Sequence, residues 1–172
     1  MRNLVMGTML LLVGVALADE APRAPVSQKA VAPQSIKSPA ATSSKVEQPL
    51  LVVHKSESCG CCVAWVRHME VAGFRVEVHN EPKMDALKRA LGIPTHLESC
   101  HTAKIDRYYI EGHVPAEDVK RLLAERPTAM GLAVPKMPIG SPGMEQGNVH
   151  EPYDVLLVQR NGKTSVFAHH GD

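Results

Sequence analysis

The chain has 172 residues and a formal net charge of +1, from 19 Lys and Arg set against 18 Asp and Glu. The basic residues are scattered, with neither a stripe nor an aromatic platform, which argues against nucleic acid as a partner. Aromatic residues make up only 3% of the sequence, so any core must be built mainly from Val, Leu and Ala.

Met1-Arg2-Asn3 is followed by an apolar stretch from Leu4 to Leu17, with Ala16-Leu17-Ala18 just ahead of Asp19-Glu20. A basic start, a short apolar core and a small-x-small site read as a secretory signal over residues 1–18, since a spanning helix needs about 20 apolar residues. The expectation is export to the periplasm, with no stable membrane insertion after cleavage. Residues 19–49 are rich in Ala, Pro, Ser, Lys and Gln and show no periodic apolar face, which predicts a flexible tether. Residues 50–172 then form one domain with one core.

Leu50 to His54 is a continuous apolar run bounded by Lys55-Ser56-Glu57-Ser58, the pattern of a buried strand. Val63, Val66 and the pair Trp65/Met69 recur at three- and four-residue spacing, predicting a helix from about Cys61 to Gly73. Phe74, Val76 and Val78 alternate with Arg75, Glu77 and His79, predicting a strand with one face inward. Met84, Leu87 and Leu91 line a second helix that Gly92 ends. Two short strands follow around Asp106-Arg107, then a helix carrying Val119, Leu122 and Leu123. This order is that of an α/β thioredoxin-like fold, a parallel strand pair first and an antiparallel hairpin after, with the cysteines at the first strand-to-helix turn. Pro127 to Pro152 is rich in Pro and Gly without any period and reads as a long loop able to cover the cysteines. Tyr153 to Gln159 and Lys163 to Ala168 form a closing C-terminal β-hairpin around Asn161-Gly162.

All four cysteines lie in Cys59-Gly60-Cys61-Cys62 and at Cys100. Two structural disulfides are the ordinary reading for an exported protein, but three cysteines within four residues fit such a framework poorly. Cys59 and Cys62 stand at C-x-x-C spacing where a helix N-terminus lowers a thiol pKa, so a thiol-disulfide oxidoreductase is a second reading. A soft metal site is the third. Thiolates select Cu(I), a helix N-terminus stabilises several of them together, and sulfur can bridge two ions in a multinuclear cluster. A tetrahedral zinc site is a rival, although its usual pattern is two separated cysteine pairs.

Met137 and Met144 lie in the long loop, and thioether sulfur suits Cu(I), although methionine also serves as gap filler. His101 adjoins Cys100 and is a candidate ligand. His113 and His150 are weaker candidates, and His169-His170 read as a solvated tail.

Cys59-Gly60-Cys61-Cys62, Ser99-Cys100-His101-Thr102, Glu111-Gly112-His113-Val114-Pro115, and the loop from Gly131 to Pro135 continuing through Gly140-Ser141-Pro142-Gly143-Met144-Glu145 resemble the CopG family of periplasmic copper-resistance proteins. The resemblance implies a thioredoxin-like fold, copper held by Cys59, Cys61, Cys62 and Cys100, and a role in copper tolerance through interconversion of Cu(I) and Cu(II). Copper ions, and other periplasmic copper-handling proteins, are the partners it implies. One departure is visible: Lys136 stands where a glycine is expected in the loop.

Overall fold

A computed structural model describes residues 49–171 of the chain. The expected signal, and the tether up to residue 48, lie outside them. The described residues form a mixed α/β structure in which one seven-stranded sheet carries three helices, in the chain order β1 (Leu51–Lys55), α1 (Gly60–Val71), β2 (Val76–Asn80), α2 (Met84–Ala90), β3 (His101–Ile105), β4 (Tyr108–Glu111), α3 (Ala116–Glu125), β5 (Gly131–Ala133), β6 (Tyr153–Val158) and β7 (Thr164–His170). Strands run across the sheet as β2-β1-β3-β4-β5-β6-β7. The β1–β2 pair is parallel, and β3–β4 is the expected antiparallel hairpin. Among the described residues no helix is long and apolar enough to cross a membrane.

Alternation along the strands sorts the core onto two faces. Leu51, Val53, Ala103, Ile105, Ile110 and Leu132 point to one side, where Trp65 and Met69 of α1 and Val119 and Leu122 of α3 cover them. Tyr109, Ala133 and Val158 point to the other, against Ile93 and Leu97 from the segment after α2. Each fully buried aliphatic side chain of this kind contributes roughly 1.5–3 kcal/mol, so both faces hold the sheet between its layers. Helix α1 stops where the sequence predicts, at Gly73 with φ 96°, a backbone conformation that favours glycine.

Four expectations are corrected. The Pro127–Pro152 segment is not all loop, because β5 lies within it and pairs parallel with β4 and antiparallel with β6. Gly131 makes that pairing possible, since a Cβ there would sit 1.9 Å from the Tyr109 carbonyl oxygen. On the edge strand β2 the expected inward face holds only at and just before its start, where Val76 packs against the core and Phe74 is buried, while Val78 is 43% exposed. In α2 the buried residue is Lys88, while Met84 and Leu87 are only partly covered. His169 and His170 are not a tail: they end β7, and His170 Nε2 lies 2.7 Å from the buried Asp118 carboxylate.

Candidate metal centre

Strand β1 delivers the chain to a tight turn that the buried Lys55 secures, its ammonium donating to the carbonyls of Ser56 and Glu57. Cys59 follows as the N-cap of α1. It makes no side-chain cap, and the first turn contains no acidic residue, so the helix N-terminus is left open to negative charge on sulfur. Cys62, one turn in, faces the core and is fully buried. Cys100 arrives by register: β3 runs antiparallel to β1 with His101 opposite Lys55, so the residue before His101 stands beside the cysteine turn.

The four sulfurs lie within 4.8 Å of one another. Cys59 and Cys62 are joined in a disulfide with Cα atoms 5.4 Å apart, and Cys61 and Cys100 are free. Cys61 Sγ is 3.4 Å from Cys59 Sγ and 3.8 Å from Cys100 Sγ, while Cys100 Sγ is 3.4 Å from Cys62 Sγ. The sequence led to four thiolates together; the structure shows two thiols beside one bridge, so the four-thiolate state is the reduced form of this cluster. Burial, and Cys61 beside it, push the Cys100 thiol up to about 12. A cation among the sulfurs opposes that effect, because metal binding displaces thiol protons.

Two imidazoles complete the centre. His101 Nδ1 is 3.4 Å from Cys100 Sγ, and its Nε2 is buried without a hydrogen-bond partner among the described residues. His113 Nε2 is nearer, 3.1 Å from Cys100 Sγ, and its Nδ1 lies 2.8 Å from the Pro142 carbonyl oxygen. A carbonyl only accepts, so in the neutral ring Nδ1 carries the proton and Nε2 turns its lone pair to Cys100. Burial lowers both pKa values, that of His101 further because His113 and Lys88 lie near, which keeps the rings neutral and able to ligate. The Trp65 ring packs 4.4 Å from that of His101 and donates its Nε1–H to the Val114 carbonyl. Cys100, His101 and His113 thus form a second group of potential ligands. Sequence spacing underweighted His113, which comes close only because β3 and β4 pair.

Beneath this centre lies a buried ion pair that sequence reading did not find. Lys88 Nζ contacts Glu111 Oε1 and donates to Thr102 Oγ1. The same carboxylate accepts the Ser99 N–H at 2.6 Å and the Thr102 hydroxyl at 2.5 Å. Glu111 therefore holds the residue before Cys100 while itself standing two residues before His113. Burial raises the Glu111 carboxyl, against the opposing pull of Lys88, the Thr102 hydroxyl and the Ser99 N–H.

The long loop closes over α1. A Cβ on Gly143 would lie 2.7 Å from the Cys61 carbonyl oxygen and 2.8 Å from the Trp65 nitrogen, so only glycine fits this approach. Lys136, where glycine was expected, has φ 64°, the conformation that glycine favours. Met137 is 46% exposed and Met144 half-buried next to Gly143. His150 lies outside both ligand groups, beside Gly140.

A family model described as a protein of unknown function, DUF411, matches residues 97–144, the stretch that holds Cys100, His101, His113 and the start of the loop. Two solved structures of copper resistance protein copG match along nearly their whole length: form 2 at 46% identity, covering 72% of this chain and 99% of that one, and form 1 at 45%, covering 73% and 100%, each with a TM-score of 0.70. The chain belongs to the CopG family. No curated relative matches its sequence. As a CopG homologue it carries a four-cysteine cluster with metal-binding geometry in the part of the fold shared with those structures.

Proposed function

We propose that the chain is a periplasmic protein of copper resistance that binds Cu(I) through Cys59, Cys61, Cys62 and Cys100 on a thioredoxin-like domain and supports interconversion of Cu(I) and Cu(II). The observation that carries this reading is the convergence of four sulfurs within 4.8 Å at a helix N-terminus. Such a soft donor set selects Cu(I), and sulfur bridging allows a multinuclear cluster. The neutral nitrogens of His101 and His113 offer borderline donors suited to the oxidised ion, and Met137 and Met144 supply thioethers on the covering loop. Other periplasmic copper-handling proteins are the proposed exchange partners.

One observation favours a second reading. The Cys59–Cys62 disulfide is the bond that a thiol-disulfide oxidoreductase would exchange with its substrate. Anaerobic loading of the reduced protein with Cu(I), followed by elemental analysis and thiol titration, separates the two. Copper retained with all four thiols protected supports the first reading. Its loss to a Cu(I) chelator, with insulin reduction retained by the metal-free protein, supports the second. Cys100→Ser is expected to weaken copper retention at least about tenfold, since it removes one of the converging soft donors. Unchanged retention would take Cys100 out of the site.

A further inference from the structure

We propose that the disulfide of the partly oxidised chain moves: Cys100 displaces Cys59 from Cys62, and the bond becomes Cys62–Cys100. The two sulfurs that must join are 3.4 Å apart, and a disulfide needs about 2.05 Å, a closure within the reach of side-chain torsions on α1 and at the start of β3. Cys62 is fully buried, which bars thiols in solution from its sulfur and leaves the attack to a neighbour inside the fold. Cys100 is that neighbour.

The step balances within the chain. The Cys100 S–H lies 3.1 Å from His113 Nε2, and the proton it gives up as its sulfur attacks ends on the Cys59 sulfur that leaves. The Cys100 sulfur bonds to Cys62, the Cys59–Cys62 bond breaks, and Cys59 leaves as a thiolate at the open N-terminus of α1, where the helix dipole favours it until it takes up a proton. One disulfide and two thiols are present before and after, so no external oxidant or reductant takes part.

What changes is which thiols are free. The pair Cys61 and Cys100, with sulfurs 3.8 Å apart, is replaced by Cys59 and Cys61, 3.4 Å apart at the first turn of the helix. A dithiol able to hold one soft ion therefore moves from a pair that joins α1 to the start of β3 to one within the first turn of α1. The inference goes beyond the copper reading and needs no metal.

The test uses the full-length, metal-free chain oxidised to one disulfide. Free thiols are blocked with N-ethylmaleimide after increasing times at neutral pH, and the bonds are mapped on tryptic peptides. A Cys59–Cys62 bond stays inside peptide Ser56–Arg67, whereas a Cys62–Cys100 bond links that peptide to Ala90–Lys104. The cross-linked pair, with Cys59 and Cys61 both alkylated, is expected to appear over minutes to hours, the range of uncatalysed disulfide rearrangement. Cys59→Ser, which cannot form the original bond, is expected to give Cys62–Cys100 on mild oxidation. Absence of the cross-link in the parent chain, or a Cys59→Ser chain that leaves Cys62 and Cys100 reduced, overturns the inference. Neither result touches Cu(I) binding by the reduced protein, which is measured separately.

Discussion

Replacing Lys88 with Met tests whether the buried ion pair holds the cysteine strand in place. Met preserves most of the aliphatic stem, so little cavity is created, and the change isolates the ammonium. Glu111 keeps the Ser99 N–H and the Thr102 hydroxyl but remains fully buried without its counter-charge. Removing one partner of a buried pair costs about 3–5 kcal/mol, and Glu111→Gln, which strands the ammonium instead, is expected to cost a similar ~3 kcal/mol. The double variant leaves no buried charge uncompensated and should lose less than the sum of the two, giving a coupling energy of at least ~2 kcal/mol. Urea unfolding of the four proteins, with the disulfide intact, measures it. In either single variant the Ser99–Cys100 backbone loosens, so alkylation of Cys100 should quicken in parallel. Additivity within about 0.5 kcal/mol would refute the reasoning, since independent sites behave that way.

Lys136→Gly relieves a left-handed backbone and should stabilise the chain by ~1 kcal/mol, because the Lys136 carbonyl that accepts the Ser99 hydroxyl is retained. A lower thermal midpoint would contradict this. Gly143→Ala should cost at least ~2 kcal/mol and speed alkylation of Cys100, since a Cβ at φ +86° drives the loop from the Cys61 carbonyl. Unaltered labelling would show that the loop does not shield the thiols. His101 and His113 have folded pKa values below their ordinary 6.5, so between the two values the unfolded chain binds more protons. Stability of the metal-free protein is therefore full above 6.5 and falls as the pH drops, by up to ~1.4 kcal/mol per pH unit for each ring. Urea midpoints that stay flat from about pH 7 to 5 would show that the rings accept protons in place.

The cysteine cluster was legible because three of its members are adjacent in the chain and the order of elements brings the fourth back to them. Helix α1 and the closing hairpin were legible from apolar spacing and from Asn161-Gly162. Strand β5 was not: Gly131-Leu132-Ala133 is too short to alternate, and it is a strand only because β4 and β6 both offer it an edge. Lys88 was hidden for a related reason. Met84, Leu87 and Leu91 suggested the inner face of α2, yet the helix turns a charge inward because Glu111, on a distant strand, is there to meet it. His113 drew little weight since nothing local links it to Cys100. Lys136 shows the opposite case, in which the family resemblance called for glycine and the backbone adopts the glycine conformation around a lysine.

The covering loop leaves the sheet at Ala133 and returns at Tyr153, and these are the ends of β5 and β6, strands that lie side by side. Its two feet are thus fixed on one footing, and the span between them is stitched to itself by bonds such as Gly140 N–H to the Met144 carbonyl and Glu151 N–H to that of Ile139. Such a segment can lift as a unit with no strand unpaired, at a free energy below that of global unfolding. In hydrogen exchange the amides of Gly140, Ser141, Met144 and Glu151 should then share one protection level, lower than that of β1 and β3. The cysteines could meet a partner protein while the sheet beneath them keeps its native pairing.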